Sequence, residues 1–525
     1  MTPTKPEIVA FQQTEFASTP PQGREIIEHP KGWANWRVLL NGIIIGLSVG
    51  LFGYDNSFAA PLVALPLFIT KYQGAGIAFT ARNLDLVITV PLVGAALGTF
   101  VATPLMRYLG RKKAFLVAYF LLCVPGSFLQ LFAPDLGALV VGRFWNYVGV
   151  SVLTTTAPLY LSELVPPHVR ARSVGFCIAG SSATGIIGTT VVWATARLTD
   201  SRQYKVPLAI QVALPAAFGL LTLLADESPS WYIQHDQLEA ARSTLMRLRN
   251  NKVDLVEAEL TLIQAAMSAS TARQAGVRFW DILKPEHLKR TLTAGALLPL
   301  SQVGGQILVL TYSTVLLVQS GVANPFEITI IISCLTFLGT IVGPVLVDSA
   351  GRRPVALIGF SILFILDMTA GGLGAAGLTT KSQRLGLAAV FIIFAFFNAV
   401  SFQSLSYLLP TEVSTAALRE PTVSWAVFWS YATAIITTFA VPQITAPDAG
   451  NLGVKTAFIF GGCVFLTAIW SYFYLPETKA RTVAEIDEMY RISLPMRKWR
   501  KHQCQVLNEA ALGLPQDETG RDTRV

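Results

Sequence analysis

Runs of apolar residues alternate with shorter polar stretches along most of the chain. A run of about twenty mostly apolar residues is long enough for a helix to cross the hydrocarbon core of a bilayer. The pattern therefore predicts an all-α membrane protein with twelve transmembrane helices, which we number as spans in chain order. The predicted spans begin near positions 36, 85, 115, 137, 171, 206, 291, 326, 355, 385, 421 and 454.

One long polar insert separates the spans into two sets of six. Its segment QLEAARSTLMRLR predicts an amphipathic helix, because apolar residues recur at helical spacing. The apolar stripe consists of Leu238, Ala241, Leu245 and Leu248. The predicted segments are a cytosolic N-terminal tail (1–35), an N-terminal six-helix half (36–225), a cytosolic helical linker (226–290), a C-terminal six-helix half (291–475) and a cytosolic C-terminal tail (476–525).

Composition agrees with a membrane protein. The 525 residues are 52% hydrophobic and only 14% charged, whereas soluble domains carry about 25% charged residues. The formal charge of +8 does not indicate a nucleic-acid partner, because the basic residues cluster in short loops between apolar spans. Such clusters mark the cytosolic side of a bilayer. They include Arg107, Arg111, Lys112, Lys113, Arg352 and Arg353.

The two halves repeat one another at matching places. RYLGRKK follows the second span, and DSAGRRP follows the eighth. The fourth span ends in YLSELVPPHVR and the tenth in LLPTEVSTAALR, so that a glutamate precedes an arginine by seven residues in both. The sixth span ends in DESPSW and the twelfth in LPETKART. Paired motifs of this kind indicate an internal repeat of the type found in transporters.

These motifs, taken in order, resemble the sugar porter family of the major facilitator superfamily, and fungal sugar/H⁺ symporters in particular. The resemblance extends from about Trp36 to Tyr490. It implies the major facilitator fold, with two pseudo-symmetric halves and a cytosolic helical linker. It also implies alternating-access transport of a carbohydrate or sugar-like small molecule, with a proton as co-substrate. We expect a multi-pass monomer in the lipid bilayer of the plasma membrane, without enzymatic activity, cofactor or metal.

In this family, acid and base residues at the cytosolic helix ends form ion-pair clusters that close the inner gate. The resemblance assigns Arg111, Glu163, Arg170, Glu227, Asp348, Arg352, Glu412, Arg419 and Glu477 to these clusters, with Glu227 and Glu477 joining them across the repeats. Semi-exposed ion pairs are weak enough to break in each cycle. Simple anchoring of basic residues at the cytosolic face is the alternative, but it does not explain the glutamates. Arg107 departs from the family, which usually has Asp at that position.

Asp55 follows the glycine-rich run GLFGYDN within the first apolar span. An ionised carboxylate inside a membrane is costly and marks function by default. It resembles the acid that proton-coupled family members use, and their arginine partner maps to Arg143 in GRFWNY. We expect Asp55 to stay ionised beside Arg143 and to bind a proton when the arginine moves away. A static buried pair, or an acid at the outer interface, is the alternative.

The substrate site is expected at the midplane between the halves. The resemblance assigns to it Gln302, Gly305, Gln306, Tyr312, Asn398, Gln403, Tyr407 and Tyr431, and helix–helix hydrogen bonding is the alternative for each polar side chain. Ser301 and Thr311 replace residues that hexose transporters use, and the fifth span lacks their glutamine. A shifted substrate is therefore expected: a disaccharide, polyol, sugar acid or sugar-like metabolite. A carrier or exporter of a non-sugar polyhydroxylated or acidic metabolite and a non-transporting sugar sensor are the alternatives.

Overall fold

A computed structural model describes residues 36–74, 78–165, 170–274, 279–406, 408–415, 418–479, 481 and 483–502. At 170–178, 266–274, 420, 483–484 and 501 it describes the backbone alone. Helices dominate these residues because lipid offers no hydrogen-bond partner, so that each spanning segment must satisfy its own backbone groups.

The N-terminal half consists of six long helices. These are Trp36–Val63, Ala81–Leu109, Arg111–Leu131, Leu136–Leu164, Arg170–Ala196 and Arg202–Thr222. A short helix, Pro66–Tyr72, follows the first span. Asp135 caps the fourth span by accepting a hydrogen bond from the Ala138 N–H, and Thr80 caps the second in the same way from Asn83. These caps satisfy donors that a helix N-terminus leaves unpaired.

The C-terminal half repeats this arrangement. Its spans are Pro285–Thr311, Pro325–Ala350, Arg352–Ala375, Lys381–Val413, Arg419–Thr445 and Gly453–Tyr474. Among the described residues, eleven helices are long and apolar enough to cross a membrane. The fifth span, Arg170–Ala196, has 27 residues, which corresponds to about 40 Å of helix. The twelve-helix fold predicted from the sequence is confirmed, and the largest difference in a starting position is at the seventh span, which begins at Pro285.

Small residues allow close helix packing within each half. On the first span, a Cβ added to Gly53 would lie 1.8 Å from the Ser181 carbonyl oxygen of the fifth span. In the C-terminal half, the ninth span packs against the twelfth. The halves meet where the fifth span packs against the eighth and the second against the eleventh.

Among the described residues, three spans contain π-helical segments, which often mark functional sites. They are Ala118–Cys123, Gln302–Thr311 and Ala399–Gln403. The segment in the seventh span is also broken, because Gly304 and Gly305 have non-helical backbone angles and Gly305 has φ +82°. Only glycine adopts such a left-handed conformation at little cost. The chain continues after the break in the short helix Ser313–Gln319.

The linker between the halves is helical, as predicted. It contains Pro229–Gln234, Leu238–Leu248 and Val253–Gln274. Ala241, Leu245 and Leu248 are buried, but Leu238 is 43% exposed, so its assignment to the apolar stripe is wrong. Leu238 is the first residue of its helix and extends beyond the packed face. The residue numbers that divide the chain into halves, linker and tails remain predictions.

A final helical pair follows the twelfth span. It comprises Val483–Arg491 and the 3₁₀ segment Met496–Lys501. Ile486, Met489, Met496 and Trp499 form a small apolar cluster of their own. Arg290, at the start of the seventh span, donates to Asp487 at 2.5 Å and to the Val413 carbonyl. This pair therefore covers the cytosolic ends of the seventh and tenth spans.

Candidate functional site

The two halves are joined at their outer ends. The Gln443 amide of the eleventh span donates to Asp85 of the second span at 2.7 Å. Asp448 accepts a hydrogen bond from the Ala81 N–H at 3.0 Å, at the start of the second span. Glu327 of the eighth span lies 3.6 Å from Arg197, after the fifth span. These contacts close the route to the outer face between the halves.

At the cytosolic end of the N-terminal half, one ion pair and one helix cap form a cluster. Arg111 donates to Glu163 at 2.9 Å, and both side chains are largely buried. Glu227 accepts the backbone N–H of Arg111 at 2.8 Å and that of Lys112 at 3.1 Å. Burial raises the pKa of Glu227, while the backbone donors favour its ionised form. The carboxylate thus caps the start of the third span.

The C-terminal half has an equivalent cluster with one additional acid. Arg352 donates to Glu412 at 2.6 Å and lies 3.1 Å from Asp348. Glu477 accepts the backbone N–H of Arg352 at 3.0 Å and that of Arg353 at 3.1 Å. The position equivalent to Asp348 is Arg107, which is exposed and contributes its carbonyl to the Trp231 indole instead.

Each cluster lies within its own half. Glu227 and Glu477 do not join the clusters across the halves in this conformation, because each is used as a cap by the adjacent third or ninth span. No ion pair between described residues connects the two clusters. The Arg170 side chain lies outside the described residues, and the Arg419 Nε has no partner among them. Among the described side chains, polar contacts thus link the halves at the ends opposite to these clusters, and no ion pair links the clusters themselves.

Asp55 is fully buried, and its partners are amides rather than a cation. It accepts hydrogen bonds from Asn146 of the fourth span, at 2.8 Å, and from Gln211 of the sixth. Arg143 forms no ion pair with Asp55 in this conformation. Its Nε donates to the Val87 carbonyl at 2.8 Å, and its guanidinium lies 5.5 Å from the centre of the Tyr147 ring. The described contacts of the Arg143 side chain are therefore made with groups other than the Asp55 carboxylate.

The break in the seventh span places several predicted substrate residues together. Gln302, Gly305 and Gln306 all belong to its π-helical segment. The Gln302 amide is 3.4 Å from the Ser430 hydroxyl of the eleventh span. Tyr312 is buried instead and donates to the Thr438 carbonyl at 3.0 Å. It packs the end of this segment against the eleventh span, near Asp85 and Thr89 of the second.

The other predicted substrate residues differ in accessibility. Asn398 is fully buried in the tenth span, and neither its oxygen nor its nitrogen has a partner among the described residues. Gln403 and Tyr431 are partly buried. Tyr407 lies outside the described residues. Geometry thus gathers Gln302 and Gln306 around one backbone break and leaves the contributions of the tenth and eleventh spans as predictions.

Sequence reasoning did not select Asp367, which lies in the ninth span. It is 2% exposed, and its Oδ2 has no hydrogen-bond partner among the described residues. Both carboxylate oxygens lie next to the broken segment, 3.2 Å from where a Cβ on Gly305 would be. The signal was present in the sequence, because FILDMTAGG places one acid in a long apolar run. The rule that selected Asp55 selects Asp367 equally.

A model of the family described as "Sugar (and other) transporter" matches residues 42–490. The chain belongs to the sugar porter family of the major facilitator superfamily. As a member of this family of transporters, it is an integral, multi-pass membrane protein.

Within the sugar porter family, the chain is 27% identical to the major facilitator-type transporter ecdD of Aspergillus rugulosus, over 89% of this chain and 90% of that protein. It is 25% identical to the general alpha-glucoside permease of Saccharomyces cerevisiae, over 90% of this chain and 77% of the permease. A partially occluded inward open structure of the xylose transporter XylE from E. coli is similar with a TM-score of 0.71 and 18% identity. It covers 85% of this chain and all of XylE, which supports the fold.

Proposed function

We propose that the protein carries a carbohydrate or a sugar-like small molecule across the plasma membrane, as a monomer, by proton-coupled symport. The observation that carries this proposal is the environment of Asp55. A carboxylate that is fully buried among membrane helices is costly, and here its two donors are neutral amides from the fourth and sixth spans. Such donors stabilise the charged form and, after rearrangement, tolerate the neutral one.

Arg143 supplies the second position that a proton switch needs. Its guanidinium is held by the Val87 carbonyl and the Tyr147 ring, and its Nη1 has no partner among the described residues. A movement of the fourth span relative to the first would bring Arg143 to Asp55 and remove the need for a proton. Movement in the other direction separates Arg143 from Asp55, and the Asp55 carboxylate then binds a proton. The proton and the conformation are then linked.

The break in the seventh span supports a polar substrate. Gln302 and Gln306 carry amides that both donate and accept, which suits the hydroxyl groups of a sugar. Both side chains are only partly buried. Gln403 and Tyr431 are further candidates on the tenth and eleventh spans. The alpha-glucoside permease and the xylose transporter to which the chain is similar make a sugar the first candidate.

The cytosolic clusters are proposed to form the inner gate. In this conformation Arg111 and Arg352 pair with Glu163 and Glu412 of their own halves. When the halves approach at the cytosolic side, the same groups, together with Arg170 and Arg419, can form contacts between the halves. Exchange requires that each arginine find a new acidic partner as it leaves the old one, because breaking a largely buried pair without replacement is costly.

Uptake of a panel of labelled sugars and polyols in a transporter-deficient yeast tests the proposal. We expect accumulation of at least one compound, and its loss when a protonophore dissipates the proton gradient. Accumulation that is insensitive to the protonophore would contradict proton coupling. Failure to take up any of the compounds, with the protein present at the cell surface, would contradict the carbohydrate assignment.

A second candidate is export of a polyhydroxylated or acidic metabolite that is not a sugar. Few polar groups are described around Gln302: its amide lies near the hydroxyls of Ser301 and Ser430. This sparse set favours a substrate other than a sugar. Inside-out vesicles would then accumulate such a compound, while whole cells would not take up sugars. A sensor would bind a sugar in the purified protein and transport it in neither system.

A further inference from the structure

A second carboxylate is buried in the membrane, in the C-terminal half. Asp367 lies in the ninth span, Arg352–Ala375, and is 2% exposed. The Asp367 Oδ2 has no hydrogen-bond partner among the described residues. An unpaired ionised carboxylate in such a place would be costly, and proteins avoid this cost by pairing or by neutralising the group. No ion pair between described residues includes Asp367, so the neutral form of its carboxyl group avoids this cost.

The surroundings of Asp367 come from three other spans. A Cβ on Gly305 of the seventh span would lie 3.2 Å from both carboxylate oxygens and 3.1 Å from the Phe394 ring of the tenth. On the twelfth span, a Cβ on Gly461 would lie 3.1 Å from the Asp367 Cβ. Cys463 of the same span is a titratable neighbour of Asp367.

These neighbours do not form a metal-cation site. A hard cation requires several oxygen ligands, usually six or more for Ca²⁺ and an octahedral set for Mg²⁺. Glycine backbone, an aromatic ring and a thiol lie near Asp367, and the described residues contain no group of three or more His, Cys, Asp or Glu side chains that could hold a metal ion. A proton needs no further ligand, because it converts the carboxylate into a neutral carboxyl with one donor and the remaining acceptor capacity.

The broken helix provides a place for that donor. The residues around Gly304 and Gly305 depart from helical geometry, and such a break releases backbone carbonyls from their regular partners. A protonated Asp367 can donate to a released carbonyl, whereas the ionised form would repel it. Protonation therefore favours the broken form of the seventh span, on which Gln302 and Gln306 lie.

We propose that Asp367 is a second proton-binding residue, which binds a proton when the seventh span is broken at Gly305 and releases it when the span rearranges. The inference rests on the proposed proton-coupled transport for its role in the cycle. Proton binding by Asp367 is independent of the proposed transport and can be measured without substrate. Asp55 and Asp367 would then couple one proton to each half of the protein.

Infrared difference spectroscopy of the purified full chain in lipid nanodiscs tests proton binding directly. A protonated carboxyl has a C=O stretch that a carboxylate lacks, so we expect a carboxyl band whose intensity changes with pH. Asp367→Asn should remove that band, and Asp55→Asn should leave it. Asp200→Asn, in an exposed loop, is the matched control and should also leave it. A spectrum of Asp367→Asn that is identical to the wild type would overturn the inference.

Transport tests the role in coupling. If two protons accompany each substrate, loss of one reduces the maximal accumulation ratio roughly 50-fold at a driving force of about 100 mV, because each charge then carries about 2.3 kcal/mol. We expect this loss in Asp367→Asn, with substrate exchange retained and with no such loss in Asp200→Asn. Unchanged accumulation in Asp367→Asn would overturn the coupling role.

Two further outcomes separate this inference from the proposed function. If wild-type uptake is insensitive to a protonophore, the proposed function fails, and Asp367 is judged on the infrared measurement alone. If accumulation instead follows a Na⁺ gradient and Asp367→Asn abolishes that dependence, Asp367 is a cation ligand and the proton inference is wrong. Asp367→Glu, which keeps the acid, should retain the band at a shifted position and serves as a second variant should Asp367→Asn fail to fold.

Discussion

The two halves of this transporter each bury a carboxylate among their helices, but they stabilise it differently. Asp55 accepts hydrogen bonds from the Asn146 and Gln211 amides. Asp367 has an unpartnered oxygen and lies against glycine, an aromatic ring and a thiol. Asp85, where the halves meet, is intermediate, because Gln443 donates to one of its oxygens and the other has no described partner.

This gradation separates two uses of a buried acid. Neutral amide donors lower the cost of the ionised form, so an acid that has them can alternate between a proton and an arginine. An acid without donors is stable chiefly as a neutral group, and its ionisation must be accompanied by a structural change. The N-terminal half is thus suited to charge exchange, and the C-terminal half to coupling a proton to the shape of one helix.

Asp55→Asn should have the largest effect. The asparagine keeps the size of the side chain but can neither bind a proton nor form an ion pair with Arg143. We expect concentrative uptake to disappear, so that the internal substrate concentration only reaches the external one, while exchange of labelled for unlabelled substrate survives. Steady-state accumulation measures the concentration ratio, and counterflow in the same cells measures the exchange. Asp200→Asn is the control and should behave as the wild type; persistent accumulation in Asp55→Asn would exclude this proton role.

Gln443→Ala would leave Asp85, the intermediate case, without a described hydrogen-bond donor, as the Oδ2 of Asp367 is. Removing the amide leaves Asp85 without its described donor, and an unsatisfied buried acceptor costs about 1–3 kcal/mol. That cost falls on the conformation with joined outer ends, so the equilibrium should shift toward the outward-facing form by about 5- to 150-fold. Distances between spin labels on the outer ends of the second and eleventh spans report the shift.

The matched variant for this experiment is Gln383→Ala. That residue lies in the first turn of the tenth span, where its side chain accepts the Thr380 backbone N–H in a capping box within the C-terminal half. We expect it to reduce stability slightly and to leave the label distances unchanged. Equal distances in Gln443→Ala and the wild type would show that the contact with Asp85 does not hold the outer side closed.

Gly305→Ala tests whether the break in the seventh span is used. A left-handed backbone costs a non-glycine residue about 1–2 kcal/mol, and the new Cβ would also lie 3.2 Å from the Asp367 oxygens. We expect transport to fall by about 5- to 30-fold. Gly377→Ala carries the same backbone strain, with φ +84°, but its Cβ has no neighbour closer than 3.9 Å. It should reduce thermal stability and leave transport unchanged.

The sequence predicted the parts that depend on periodicity and repetition. Apolar run lengths located the twelve spans, and the resemblance to the sugar porter family assigned Arg111 and Glu163 to one cytosolic cluster, where they form an ion pair. This pair and the pair of Arg352 with Glu412 join residues 52 and 60 positions apart, and the family's motifs rather than their spacing in this chain indicated them. They could therefore be inferred before any coordinates were available.

The sequence did not predict contacts that depend on how helices rotate against one another. Asn146 and Gln211 lie 91 and 156 positions from Asp55 in the chain, and an apolar pattern does not reveal which face they occupy. The same holds for Gln443 and Asp85. Tyr312 matched a family pattern, yet its hydroxyl is used by the Thr438 carbonyl. Asp367 differs from these residues, because the sequence shows that it lies within an apolar run. Only its neighbours in the fold could not be predicted.

The cytosolic clusters provide the smallest and most exposed difference between the halves. Asp348 adds an acid 3.1 Å from Arg352 and is 74% exposed, whereas Arg107 occupies the matching position beside Arg111. Arg107→Asp should give the N-terminal cluster the same additional acid. An exposed pair is worth about 0.2–1 kcal/mol, and an acid at a helix C-terminus loses part of that to the helix dipole. We therefore expect a gain of only a few tenths of a kcal/mol.

Thermal unfolding of Arg107→Asp, Arg111→Gln and the double variant measures that interaction as a double-mutant cycle, and Arg107→Gln shows what removal of the positive charge does alone. Asp348→Asn should give a change of the same size and opposite sign in the C-terminal half. A coupling energy well above 1 kcal/mol would place these pairs outside the range of exposed ion pairs. They would then be too strong to exchange in every cycle, and the inner gate would have to be formed by other residues.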